Sequence, residues 1–235
     1  MPITTARAAR SRPSAADPRS LAQFHRQFYG ASGMIVVVVG AVKAADAVQI
    51  VRDQLEDWQN ADQPEQPALP DLAPVREAKR AVVPLPGKTQ SDLVLGLPGP
   101  SRFSPDYQAA SLANSVLGQF GMMGRIGRSV REELGLAYYA YSQIEGGFGP
   151  APWSVVAGVN PANVELAIDR IREEIQRLTS EPVGEDDLSD NQAYHVGHLP
   201  LQLESNEGIA YTLRNIETFS LGLDYLVNYA TPSTA

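Results

Sequence analysis

No cysteine occurs in the 235 residues, which excludes disulfides and thiolate metal sites and leaves a catalytic thiol out of account. Histidine is nearly as scarce, with three copies: His25, His195 and His198. His195 and His198 share one helix face and Glu204 follows, but neither His-x-x-x-His nor His-x-x-Glu-His is present, and Pro200 interrupts the pattern. A solvated or capped histidine pair is the simpler reading. Basic charge is also short: 19 Lys and Arg stand against 27 Asp and Glu, a net charge of −8, which argues against a nucleic-acid surface. The longest apolar run, Met34 to Val39, is far below the ~18 residues of a membrane helix. The N-terminus shows no apolar export segment, and nothing chooses between bacterial cytoplasm and periplasm.

Apolar residues make up 43% of the chain, enough for a substantial core. Residues 1–16 are Ala-, Arg-, Ser- and Pro-rich and read as a flexible lead-in. Asp17-Pro18 starts a helix carrying Leu21, Phe24, His25 and Phe28 on one face and stopping near Gly30. Met34 to Val39 is a β-branched strand needing cover on both faces, and a second helix carries Val48, Val51, Leu55 and Trp58. Residues 59–77 hold Pro64, Pro67, Pro70 and Pro74, which makes them a stiff linker and divides the chain into 17–58 and 78–235.

Beyond the linker, strands are expected at Lys79–Pro84 and Asp92–Leu97 around the turn Pro86-Gly87. Helices follow at about Pro105–Leu117 and Gly124–Leu134, then strands at Ala137–Glu145 and Trp153–Val159. The clearest helix, Pro161–Leu178, has Val164, Ala167, Ile168, Ile171, Ile175 and Leu178 as its buried stripe. Glu185–Leu199 and Leu203–Phe219 are expected as separate helices broken at Pro200, with a short one from Leu223. The acidic cluster Glu181, Glu185, Asp186, Asp187 and Asp190 sits at a helix start, where the dipole favours carboxylates. Strand pairs followed by helices give an α+β fold: a mainly antiparallel sheet with helices on one face.

Nucleophile motifs such as Gly-x-Ser-x-Gly are missing, and the series Gly118, Gly121, Gly124, Gly127 has neither dinucleotide nor P-loop spacing. The unusual segment runs from Leu117 to Ser142. Arg125, Arg128 and Arg131 put three cations along one helix side of an acidic protein. Gly135 ends that helix, and a strand with Tyr138, Tyr139 and Tyr141 follows. Arg131 and Tyr138 can converge on one point as donors suited to an oxygen gaining negative charge. On spacing alone the simpler alternative is that Arg131 pairs with a carboxylate while the tyrosines pack, and both stay open.

The phrase from Leu117 through Arg131-Glu-Glu-Leu-Gly-Leu-Ala-Tyr138 resembles the C-terminal lobe of pitrilysin/insulinase-family zinc peptidases. Phe24-His-Arg-Gln-Phe-Tyr29 with Met34–Gly40 is similar to the end of that family's first lobe. Leu203–Ala210 and Gly222–Leu226 are similar to the closing helices of its second. The resemblance covers about residues 20 to 228. It implies a mitochondrial-processing-peptidase-like fold and a substrate-binding role for Arg131 and Tyr138, with Tyr139 pointing to the opposite strand face. It also implies a partner lobe or subunit carrying zinc on an inverted His-x-x-Glu-His motif. No catalytic or metal residue is expected in this chain and no cofactor of its own, since the zinc belongs to the partner.

The family's final helix and strand are missing after Tyr229, so the chain is expected to be a fragment cut at a sequence-family boundary. Met34–Val39 is then expected to take the missing strand's place in the second-lobe sheet, within one chain or by exchange in a homodimer. The leading function is the non-catalytic substrate-binding part of a zinc metalloendopeptidase, with a peptide substrate. The rivals are an inactive family member serving as an assembly scaffold and, more remotely, a self-sufficient hydrolase.

Overall fold

The structure, a computed structural model, describes residues 17–65, 68–69, 72–119 and 124–229. The lead-in 1–16, Pro67, Pro70, Gly121 and the tail beyond Tyr229 lie outside the described residues. The chain divides into two compact units. One takes in the described residues up to Ala68 together with Ser205–Thr218; the other comprises Leu69–Glu204 and Phe219 onward.

In the first unit, α1 (Pro18–Phe28) starts where expected. Asp17 accepts from the Ser20 amide at 2.7 Å, with Pro18 in the first turn. Its last turn is finished by Asn60, whose amide donates to the carbonyls of Arg26 at 2.8 Å and Tyr29 at 2.9 Å. His25 stacks between Tyr29 and Trp58. Residues 34–39 are extended but join no ladder among the described residues, and the sheet contains other strands only. Within one chain, the expected insertion of this segment into that sheet does not occur among the described residues. Composition gives strand propensity, whereas pairing needs a partner edge in reach. Helix α2 (Ala44–Leu55) follows, and α6 (Asn206–Thr218) groups with this unit.

The second unit is built on an antiparallel sheet of three strands: β1 (Ser91–Pro98), β2 (Ala137–Ile144) and β3 (Pro152–Val159), in the order β1-β3-β2. Residues 79–84, expected as a strand, join no ladder. Pro84 and Pro86 cannot donate to one, and Arg80 is tied instead to Glu165 by two hydrogen bonds. Alternation along β3 sets the two faces. Val155, Ala157 and Val159 are buried in the core with Ala137 and Ala140 of β2, while Ser154, Val156 and Gly158 occupy the other face.

Helix α3 (Tyr107–Asn114) runs into a wider turn, Ser115–Gln119, that leaves helical geometry at Gly118, and a π-helical stretch, Gly127–Glu133, precedes β2. Both supply the core, through Leu117 from the first and Val130 from the second, with Ile126 just ahead of it. Helix α4 (Val164–Ser180) closes the layer through the expected stripe. Ala167 and Ile171 are fully buried, and Val164, Ile175 and Leu178 pack against the same cluster. Full burial of a side chain the size of Ile171 contributes about 1.5–3 kcal/mol. Glu174 lies on the same buried face and pairs with Arg177 at 3.2 Å. The fold class is α+β, as read from sequence.

Helix α5 (Glu185–Gln202) runs through Pro200 rather than breaking there. The proline lies within the last turn, so one lost hydrogen bond is absorbed where the helix already ends. The Leu203 amide still reaches the carbonyls of Leu199 and Pro200. The acidic residues Glu185, Asp186 and Asp187 occupy its first turn. A four-residue α7 (Tyr225–Asn228) ends the described chain. Among the described residues no helix is long and apolar enough to cross a membrane.

Candidate functional site

Arg131 occupies the last turn of the Gly127–Glu133 π-helix and is half-buried. The chain then reverses at Gly135, whose φ of +59° is left-handed and favours glycine on backbone grounds alone, since a Cβ there would meet nothing. The Gly135 amide donates to the Arg131 carbonyl at 3.1 Å and the Leu136 amide to the Val130 carbonyl at 2.9 Å. Leu136 and Ala137 are thereby sunk into the core.

At the start of β2 the ladder is irregular. Ala137 pairs with Val159, but the next residue of β3, Gly158, pairs with Tyr139. Tyr138 is thus an extra residue in a β-bulge, and it is 80% exposed. Among the described residues, neither Arg131 nor Tyr138 has a side-chain hydrogen bond or ion pair, whether to the other or to a third residue. No carboxylate among the described residues pairs with Arg131, and the Tyr138 ring is largely exposed.

Tyr139, by contrast, is committed. Its hydroxyl donates to Asp92 Oδ1 of β1 at 2.7 Å, and the Gln90 amide donates to the same oxygen at 2.8 Å. These bonds hold the Asp92 carboxyl below the usual aspartate range, Gln90 more strongly than Tyr139. The Tyr139 phenol is pushed up, chiefly by its bond to Asp92 and secondarily by burial. Gly158 lies between the two residues. A Cβ on it would stand 2.5 Å from the Tyr139 ring and 2.5 Å from the Gln90 amide. Sequence reasoning missed this cluster, although a glycine inside a strand marks a close approach.

A second polar cluster lies on the helical side of the sheet. Trp153 Nε1 donates to Asn114 Oδ1 at 2.9 Å, and the Ser142 hydroxyl donates to the Asn114 carbonyl at 3.2 Å. His195 Nε2 is 3.1 Å from Ser115 Oγ. Burial, and then the neighbouring His198, push the His195 pKa down. A serine beside a histidine invites a nucleophile reading, but Ser115 is fully buried. Among the described residues no acid orients the other ring nitrogen. The cluster is a joint that satisfies buried polar atoms. His198 stacks on Tyr194. Among the described residues no three His, Cys, Asp or Glu side chains are grouped to hold a metal ion.

Residues 15–193 match the model of the peptidase M16 inactive domain. The chain belongs to that family. An uncharacterized zinc protease of Streptomyces coelicolor is 30% identical over 173 residues, covering 71% of this chain and 37% of that protein. The peptidase M16 inactive domain of Pseudomonas fluorescens superposes with a TM-score of 0.75 at 26% identity, covering 93% of this chain and 51% of that one. A Helicobacter pylori protease shares the fold, with a TM-score of 0.80 at 21% identity, covering 92% of this chain and 52% of that one. The chain therefore spans about half the length of these solved relatives, and less of the curated one. It is a non-catalytic domain of the zinc-protease family.

Proposed function

We propose that this chain is the substrate-holding half of a two-lobed zinc endopeptidase, with Arg131 and Tyr138 gripping the peptide near the scissile bond. Residues 17–58 then close the zinc-bearing lobe, 59–77 link the lobes and 78–235 form the substrate lobe. The observation that carries the reading is the state of the two side chains. A guanidinium with no carboxylate partner among the described residues and a phenol 80% exposed are two available donors, seven residues apart on one helix–turn–strand. A peptide carbonyl is the natural acceptor for both, and more so as negative charge develops on it. The metal and the chemistry it supplies belong to the other lobe, whether in the same chain or in a second subunit.

The test is peptide cleavage by this chain assembled with its zinc-bearing lobe. Arg131→Ala and Tyr138→Phe each lower kcat/KM on the order of 10²-fold while the melting temperature holds. Wild-type cleavage by both variants would replace this reading with that of a proteolytically silent assembly scaffold.

A further inference from the structure

The strict alternation of a strand would ruin the site just described. Ala140 faces the core opposite Ala157, so in a regular ladder Tyr138 would face the core as well and Ala137 would face outward. The bulge reverses this. Inserting one residue between the pairs Ala137–Val159 and Tyr139–Gly158 lets Ala137 fill the core and leaves Tyr138 outside the ladder. What keeps the extra residue from migrating along β2 must act on the first regular pair after it, which is Tyr139 opposite Gly158.

We propose that Tyr139, Asp92 and Gly158 form a positioning lock that fixes the β2 bulge and so holds Tyr138 out for the substrate. The proposal rests on the reading that Tyr138 meets the peptide. Asp92, Gly158 and Tyr139 stand in one row across all three strands, since Asp92 and Tyr139 are each registered opposite Gly158. The Tyr139 ring crosses the central strand where only a glycine leaves room, and its hydroxyl ends on Asp92. A slip of one residue would put Tyr138 or Ala140 in that slot. An alanine there cannot reach Asp92, and a shift that brings in Tyr138 takes it out of the surface. Gln90 holds the acceptor oxygen from the other side, and the carboxylate stays ionised throughout the neutral range.

The experiment uses the assembled peptidase and an unstructured fluorogenic peptide. Tyr139→Phe and Asp92→Ala are each expected to lower kcat roughly 10-fold with KM little changed, the signature of a donor misplaced in the transition state. Asp92→Asn, which keeps an acceptor oxygen, restores most of the rate. Gly158→Ala, which removes no hydrogen-bonding group, reproduces the loss by displacing the ring. In a Tyr138→Phe background none of these changes lowers the rate further, because the lock acts only through Tyr138. Losses that multiply with Tyr138→Phe would overturn the proposal. A second readout does not depend on catalysis: nitration by tetranitromethane, mapped by mass spectrometry. Wild type is nitrated at Tyr138 and spared at Tyr139, while Asp92→Ala opens Tyr139 and slows Tyr138. Unchanged nitration of both in Asp92→Ala overturns the lock even if Tyr138 proves dispensable for cleavage, an outcome that by itself removes only the substrate-binding reading.

Discussion

The Tyr139 hydroxyl donates to Asp92 Oδ1 at 2.7 Å over the backbone of Gly158, joining the two edge strands of the sheet across the central one. This bond ties β1 to β2, which share no ladder of their own.

Titration reports directly on that bond. Folding raises the Tyr139 pKa, so the bond's contribution is complete below the unfolded tyrosine value of about 10 and fades as pH rises through the higher folded value. Folding lowers the Asp92 pKa, so its contribution is complete above about 3.9 and fades as pH falls through the lower folded value. The tie is thus intact across the whole neutral range. Absorbance titration of the tyrosines is expected to show one phenol moving to lower pH in Asp92→Ala. An unaltered curve would mean the bond does not form in solution.

The core makes a sharper energetic forecast. Ile171 is 0% exposed at the centre of the α4 stripe, whereas Leu166 on the same helix is 46% exposed. Ile171→Ala is expected to lower unfolding stability by about 2–5 kcal/mol, and Leu166→Ala by well under 1 kcal/mol. Urea denaturation followed by Trp153 fluorescence checks both. Equal losses would mean that α4 does not dock through this stripe.

The joint at His195 has a pH signature of the opposite kind to Tyr139. Its folded pKa is depressed, mainly by burial, so its contribution is present above the unfolded histidine value of about 6.5 and is lost as pH falls through the folded value. Melting temperature is expected to drop between pH 7.5 and 5.5, and His195→Gln to flatten that drop. An equally steep pH dependence in the variant would assign the effect to another group.

Much of the fold was legible because its elements carry their own period. The α4 stripe repeats at helical spacing, and β3 alternates between core and outer residues, so both could be drawn from local sequence. The segments at 34–39 and 79–84 have strand-like composition too, yet strandness there depends on a partner edge that no local pattern reveals. Pro200 misled for a related reason: a proline ends a helix in mid-course but is tolerated in its last turn. Arg131 and Tyr138 stood out as candidates because both lie in one contiguous phrase, Leu117 to Tyr138, with Gly135 between them. Asp92, 47 residues upstream of Tyr139, did not, because only the register of the finished sheet brings the two together.

Met34 to Val39 has a practical consequence for anyone handling this chain. From Gln27 to Val42 there is no charged residue, and within that stretch six consecutive apolar residues lie extended. Among the described residues their backbone amides and carbonyls join no ladder, and Met34, Ile35, Val36 and Val38 are exposed. Such a hexapeptide is a seed for cross-β stacking between copies, where each chain supplies the ladder that the next one needs. The excess of negative charge elsewhere opposes that stacking by mutual repulsion, so it weakens as salt screens the charge or acid neutralises it. Val38→Lys places a charge inside the segment and removes the hazard at its source.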